Sequence, residues 1–146
     1  MSVVDNKILI REALEARLKA YTPYSHYKVG AALLTSDGQI IRGCNIENAA
    51  FSPTVCAERT AFFKAVSDGI TSFSKIAIVG GPDTETYSLT DYAFPCGVCR
   101  QVMREFCSEK FEVIIAKSED EFKSYTLAEI LPNSFGPDKL LDGGER

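Results

Sequence analysis

Three cysteines and one glutamate form the pattern in this sequence that is most typical of a reactive site. Cys96 and Cys99 stand three residues apart just after Pro95, which favours the start of a helix. In the first turn of a helix, this spacing brings both sulfur atoms to one side. Cys56 is expected in the first turn of a second predicted helix, and helix N-termini stabilise thiolates. Two such ends that meet would place three thiolates around one metal ion, and zinc prefers ligands of this kind.

The number of ligands indicates what the metal does. A structural zinc site normally has four protein ligands, whereas a catalytic site leaves the fourth position to water. The single histidine, His26, lies far upstream, and Cys44 and Cys107 lack motif spacing. We therefore expect an open site at which a zinc-bound hydroxide forms. Glu58, two residues after Cys56, is placed to take the proton of that water and return it to a substrate.

Arg59 is the candidate for balancing the charge of this site. A zinc ion with three thiolates carries a net charge of −1, which weakens its effect on a bound water. Arg59 is expected to donate hydrogen bonds to the sulfur atoms and to offset part of that charge. The alternative for Arg59 is an ordinary surface ion pair.

Other functions share parts of this pattern. A lone Cys-x-x-Cys also occurs in thiol redox proteins, and a zinc-stabilised binding module would need a fourth protein ligand. Cys56-x-Glu58 some 40 residues before Pro95-Cys96-x-x-Cys99 is instead typical of zinc deaminases, with cysteine in place of the usual histidine. A deaminase of nucleic acids needs a basic groove, and the net charge of −4 argues against nucleic acid as a partner.

The composition predicts one folded unit that carries this site. The chain has 146 residues, of which 45% are hydrophobic and 25% charged, so we expect a single domain over 1–146. The apolar runs are too short to cross a membrane, and the N-terminus does not read as a signal peptide. A cytoplasmic protein with reduced cysteines and no membrane partner is therefore expected.

Hydrophobic periodicity predicts alternating helices and strands. We expect helices over 5–21, 56–67, 96–107 and near 127–131, with Ser52 or Thr54 capping the second. Strands are expected over 29–34, 40–44, 75–81 and 111–117 and near Tyr125, the first two forming a hairpin. A loop over 82–94 separates the third strand from the third helix. This alternation predicts an α/β sheet with helices on its faces.

Six segments, in the same order along the chain, match the sequence motifs of a known protein family. They read Pro23-Tyr-Ser25, Val29-Gly-Ala-Ala-Leu33, Gly43-Cys-Asn-Ile-Glu-Asn-Ala49, Cys56-Ala-Glu-Arg-Thr-Ala61, Pro95-Cys-Gly-Val-Cys-Arg-Gln101 and Leu131-Pro-Asn-Ser-Phe135. Over nearly its whole length the sequence resembles the small homotetrameric cytidine deaminases of pyrimidine salvage. The resemblance implies a three-layer α/β/α fold with a mixed sheet of about five strands.

The resemblance also implies a reaction and its residues. Cytidine and deoxycytidine would be hydrolysed to uridine and deoxyuridine with release of ammonia, as zinc-bound hydroxide attacks C4 and Glu58 shuttles protons. The zinc ligands would be Cys56, Cys96 and Cys99. A deaminase of another aminopyrimidine nucleoside is the nearest alternative, and the preference for ribo- or deoxyribonucleosides stays open.

The resemblance further implies which residues contact the substrate. Asn45 and Glu47 would hold the ribose hydroxyl, since an amide donor and a carboxylate acceptor suit one hydroxyl. Tyr27 would place its ring over the pyrimidine. Phe51 and Phe135 would complete the pocket from neighbouring subunits of a homotetramer. The remaining expected substrate contacts are Ala49 and Ala57.

Overall fold

A mixed sheet of five strands organises the computed structural model, which describes residues 4–141. The strands are β1 (Tyr27–Thr35), β2 (Ile40–Cys44), β3 (Phe73–Pro82), β4 (Glu112–Ser118) and β5 (Glu121–Thr126), in the order β2-β1-β3-β4-β5. β3 and β4 are parallel, and the other neighbours are antiparallel. The helices are α1 (Asn6–Arg17), α2 (Ala57–Ser67), α3 (Gly97–Phe106) and α4 (Leu127–Ile130), followed by a 3₁₀ turn over Pro137–Lys139.

Alternating side chains divide the core between the two faces of the sheet. In β1, Ala31 and Leu33 pack with α2 and α3, whereas Ala32 and Leu34 pack with α1. β3 and β4 alternate in the same way, as expected for strands that are covered on both faces. The protein is therefore a three-layer α/β/α fold with five strands, which confirms the expected fold class.

Two glycines let the helices approach the sheet closely. A Cβ atom at Gly30 of β1 would lie 2.1 Å from the Ala13 carbonyl oxygen of α1. A Cβ atom at Gly43 of β2 would lie 2.4 Å from the Ala57 carbonyl oxygen, in the first turn of α2. Because α2 begins directly after Cys56, the close contact at Gly43 also fixes the distance between the expected metal site and β2.

Two expectations about the helices were wrong in detail. α1 ends at Arg17 rather than Tyr21, because the Tyr21 N–H donates to the Asn45 carbonyl and Tyr21 forms a bridge with Ile46. Neither Ser52 nor Thr54 caps α2, whose N-cap is Cys56. Thr54 Oγ1 instead accepts a hydrogen bond from the Asn48 N–H and holds the preceding loop.

A buried arginine fixes the loop that follows β3. The Arg17 side chain is fully buried, and its guanidinium donates to five backbone carbonyls, those of Lys28, Gly81, Pro82, Glu85 and Thr86. Burial lowers the pKa of Arg17 from its ordinary value, yet these carbonyls satisfy its donors. The loop therefore has a defined path toward α3. Within residues 4–141, none of the helices has the length and apolar character needed to span a membrane.

Candidate functional site

The three predicted ligand cysteines meet where α2 and α3 begin. Cys56 and Cys96 are the N-caps of these helices, and Cys99 lies in the first turn of α3. Their Sγ atoms all lie within 4.8 Å of one another, with 3.7 Å between Cys56 and Cys96 and 3.5 Å between Cys96 and Cys99. Two Zn–S bonds of about 2.3 Å at a tetrahedral angle would separate the sulfur atoms by roughly 3.8 Å. The three thiols therefore fit a zinc ion.

The electrostatics of the cluster also favour a cation. A hydrogen bond from Cys99 and a further one from Arg59 lower the pKa of Cys56 to about 5, so the first thiolate forms there. The same hydrogen bond to Cys56, followed by burial, raises the pKa of Cys99. Three thiolates in one place thus require additional positive charge, which a bound metal ion supplies.

Arg59 contacts the cluster as expected. Its Nη2 donates to Cys56 Sγ at 3.5 Å, one turn into α2. The Arg59 Nε atom is buried, and among the described residues no hydrogen-bond partner reaches it. A cation held this close to a thiolate offsets part of the negative charge of the sulfur atoms.

Glu58 points into the same region from the first turn of α2. The residue is only 4% exposed, and burial raises the pKa of its carboxyl group to about 7. A carboxyl group with such a pKa exchanges protons readily near neutral pH. It lies beside the cysteines in a cleft of about 390 Å³, a size suited to a small molecule.

The cleft gathers six of the twelve predicted site residues. Its lining includes Tyr27, Asn45, Cys56, Ala57, Glu58 and Cys96. The sequence analysis did not identify five further lining residues, Val29, Thr54, Val55, Ala93 and Phe94. Of these, Ala93 and Phe94 are the last two residues of the loop before α3. Their position directly before Pro95 and Cys96 is the sequence feature that could have identified them.

Asn45 is fixed by the backbone of β1. Its Oδ1 accepts from the Val29 N–H and its Nδ2 donates to the Tyr27 carbonyl, both at 2.9 Å. One amide hydrogen of Asn45 stays available for a ligand after these two contacts. Tyr27 is half-buried at the start of β1, and its ring lies 3.3 Å from the position of a Cβ atom on Gly80.

Glu47 and Phe51 line a second cleft, which shares Thr54 with the first. The Glu47 carboxylate accepts hydrogen bonds from the Tyr24 and Ser25 backbone and from the Ser25 hydroxyl. Phe51 is 88% exposed, although its ring is apolar. The structure therefore places Glu47 and Phe51 in a different cleft from Cys56 and Glu58.

Ala49 and Phe135 are exposed and line neither cleft. Phe135 stands 58% exposed in the segment after α4, where the Gln101 side chain donates to its carbonyl at 2.8 Å. Arg104 holds the same segment through Ser134 and Asp138, each at 2.9 Å. The exposed ring is therefore presented from a fixed backbone.

Comparison with solved structures agrees with this architecture. A cytidine deaminase from Burkholderia pseudomallei superposes with a TM-score of 0.81 at 40% identity, over 90% of this chain and all of that one. A cytidine deaminase from Mycobacterium tuberculosis superposes with a TM-score of 0.76 at 32% identity, over 92% of this chain and 99% of that one.

Comparison of sequences covers the site as well as the fold. A curated cytidine deaminase from Sporosarcina psychrophila is 48% identical over 98% of this chain and its own whole length. Residues 4–115, which include the three cysteines and Glu58, match the family model described as the cytidine and deoxycytidylate deaminase zinc-binding region. With a thiol cluster of zinc geometry at the start of two helices, this chain belongs to the cytidine and deoxycytidylate deaminase family.

Proposed function

We propose that this protein is a zinc-dependent hydrolase that converts cytidine and deoxycytidine to uridine and deoxyuridine with release of ammonia. The observation that carries the proposal is the convergence of Cys56, Cys96 and Cys99 beside the buried carboxyl group of Glu58, in a cleft of nucleoside size. Relatives named cytidine deaminase, at 48% and 45% identity, support it.

The three cysteines would hold the zinc ion, and Glu58 would move the protons. Zinc bound by three thiolates supplies a Lewis acid that makes water nucleophilic near neutral pH. Glu58 accepts one proton as the water oxygen attacks C4 of the pyrimidine, and delivers it to N3. Glu58 then carries the second proton to the amino nitrogen, so that ammonia leaves and C4 becomes a carbonyl. Arg59, through Cys56, limits the negative charge that the sulfur atoms place on the site.

Asn45 and Glu47 would bind the 3′-hydroxyl of the sugar. The free amide hydrogen of Asn45 suits the hydroxyl oxygen, and a lone pair of Glu47 suits its proton. Tyr27 would cover the pyrimidine ring, with Ala57 and Ala49 as further substrate contacts. Glu47 and Glu58 together disfavour a phosphate, so free nucleosides are the proposed substrates. The described cysteines are all free thiols, which suits a cytoplasmic enzyme.

We infer that the enzyme is a homotetramer whose neighbouring subunits complete each site. Phe51 and Phe135 are apolar rings that the described chain leaves exposed, at 88% and 58%. The backbone of Phe135 is nevertheless held by Gln101, so the segment that carries the ring has a fixed position. Rings presented in this way suit insertion into a neighbouring subunit.

Uridine formation from cytidine, measured with zinc-loaded protein and with Glu58→Gln, tests the proposed reaction. Glu58→Gln keeps the size of the side chain and removes its proton exchange. We expect turnover to fall by about 10²- to 10⁴-fold while the zinc content stays at one ion per subunit. Glu121→Gln is the control, because Glu121 lies exposed at the opposite edge of the sheet.

Two results would contradict the proposal. Glu58→Gln protein with near-normal turnover would remove Glu58 from proton transfer. Folded, zinc-loaded wild-type protein that leaves cytidine and deoxycytidine unchanged would move the assignment to another aminopyrimidine nucleoside.

A further inference from the structure

The Ser25 hydroxyl joins two residues of the proposed substrate site. Its Oγ donates a short hydrogen bond to Glu47 Oε2 and accepts one from the Tyr27 N–H at 3.1 Å. A serine hydroxyl has one proton to donate, and here that proton is given to the carboxylate. The proposed sugar contact and the proposed ring contact therefore share one small side chain.

The Glu47 carboxylate takes its orientation from this turn. Oε1 accepts from the Tyr24 N–H at 3.0 Å and from the Ser25 N–H at 3.1 Å, and Oε2 accepts from the Ser25 hydroxyl. These hydrogen bonds, the Ser25 hydroxyl above all, lower the pKa of Glu47. Within residues 4–141, Glu47 forms no ion pair, so hydrogen bonds rather than a cation set its direction.

The backbone keeps Ser25 in place before any substrate arrives. The next residue, His26, has a φ of 56°, and its N–H donates to the Thr22 carbonyl at 3.0 Å. Its carbonyl accepts from the Asp83 N–H at 2.8 Å, which ties the turn to the loop after β3. Glu47 is anchored separately, since its N–H donates to the Tyr21 carbonyl at 2.9 Å. The serine and the carboxylate thus stand on two fixed backbones.

We propose that Ser25 is a positioning residue: it holds the Glu47 carboxylate in the direction that receives the 3′-hydroxyl of the nucleoside and couples that carboxylate to Tyr27. The proposal rests on the proposed function. Without the hydroxyl, Oε2 of Glu47 loses its protein donor and the carboxylate rotates about the two remaining backbone bonds. Ser25 then determines how strongly the enzyme distinguishes nucleosides that carry a 3′-hydroxyl from those that lack it.

Deoxycytidine and 2′,3′-dideoxycytidine differ only in the 3′-hydroxyl, so the ratio of their kcat/KM values tests the proposal. We expect Ser25→Ala to lower this ratio about 10-fold, as for loss of one hydrogen bond to a charged group in an exposed site. The loss should lie in KM for deoxycytidine, with kcat nearly unchanged. Ser25→Thr keeps the hydroxyl and should restore the ratio.

Two further variants separate positioning from a general structural role. In a Glu47→Gln background, Ser25→Ala should cause no additional loss of the ratio, because both changes act through one contact. Ser36→Ala is the matched control: it removes an exposed loop hydroxyl, paired with Ser72 at 2.6 Å, at the far end of β1. This control should leave the ratio unchanged.

Each failure has its own signature. Equal losses on both nucleosides after Ser25→Ala, or a full additional loss in the Glu47→Gln background, would overturn the positioning role of Ser25. Wild-type protein that deaminates neither nucleoside would instead refute the proposed function. If Glu47→Gln left the ratio of the two kcat/KM values at its wild-type level, Glu47 would have no role in binding the sugar. That result would refute the Ser25 proposal as well.

Discussion

Gly43→Ala should disable the metal site from outside it. The added Cβ would lie 2.4 Å from the Ala57 carbonyl oxygen and 2.6 Å from the Ala61 N atom, both in the backbone of α2. Ordinary van der Waals contact begins near 3.4 Å, so the first turn of α2 must withdraw by about 1 Å. That turn begins at Cys56 and carries Glu58.

The size of the effect follows from this displacement. Overpacking of a filled core costs about 1–3 kcal/mol of unfolding free energy. For a chain of this length, that cost lowers Tm by roughly 3–10 °C. A misplacement of about 1 Å in a catalytic group reduces turnover on the order of 10²-fold. We therefore expect a folded protein that deaminates cytidine poorly.

Thermal unfolding, zinc content and uridine formation should be measured on the same preparation. Gly97→Ala is the matched control, since a Cβ on Gly97 would have no atom of residues 4–141 within 4 Å although Gly97 lies between two of the proposed ligand cysteines. It should retain its zinc and its turnover. Gly43→Ala protein with normal Tm and normal turnover would refute the argument that this contact sets the depth of α2.

Two other substitutions test the metal centre. Cys99→Ala should lose zinc and lower Tm, because metal binding is coupled to folding; full zinc occupancy measured by atomic absorption would refute its role as a ligand. Arg59→Ala should weaken zinc binding about 10- to 100-fold in a competition with a chelator, because the arginine no longer donates to Cys56. Unchanged zinc affinity and turnover would leave Arg59 as an ordinary surface cation.

Local sequence patterns predicted the parts of the fold that depend on local physics. Asp37 and Gly38 lie between β1 and β2, where an Asp-Gly pair favours a hairpin turn, and Gly38 adopts a φ of 92°. The spacing of Cys56, Glu58, Cys96 and Cys99 predicted the cluster, because each pair spans the N-cap and the first turn of one helix.

The parts that sequence patterns missed depend on distant contacts. The amphipathic stripe predicted for α1 continues through Leu18 to Tyr21, but these side chains are 40% and 57% exposed and the helix has already ended. The loop over 82–94 contributes Ala93 and Phe94 to the cleft, and its course is set by carbonyls that bond to Arg17, far away in the sequence. Likewise, Asn45 is oriented by pairing with β1, which no local pattern reveals.

The choice of cysteine at two helix starts also has an energetic consequence. Helices are usually capped by serine, threonine, aspartate or asparagine, and loss of such a cap costs about 1 kcal/mol. Cys56 and Cys96 occupy the N-cap positions of α2 and α3, and neither side chain caps its helix. A bound zinc ion would link the two helix starts, and its binding energy would offset the stability lost because neither helix has a capping side chain. At two N-cap positions that meet in space, cysteine replaces the residues that would stabilise the helices. This shared loss of stability distinguishes a functional site from an ordinary pair of helix ends.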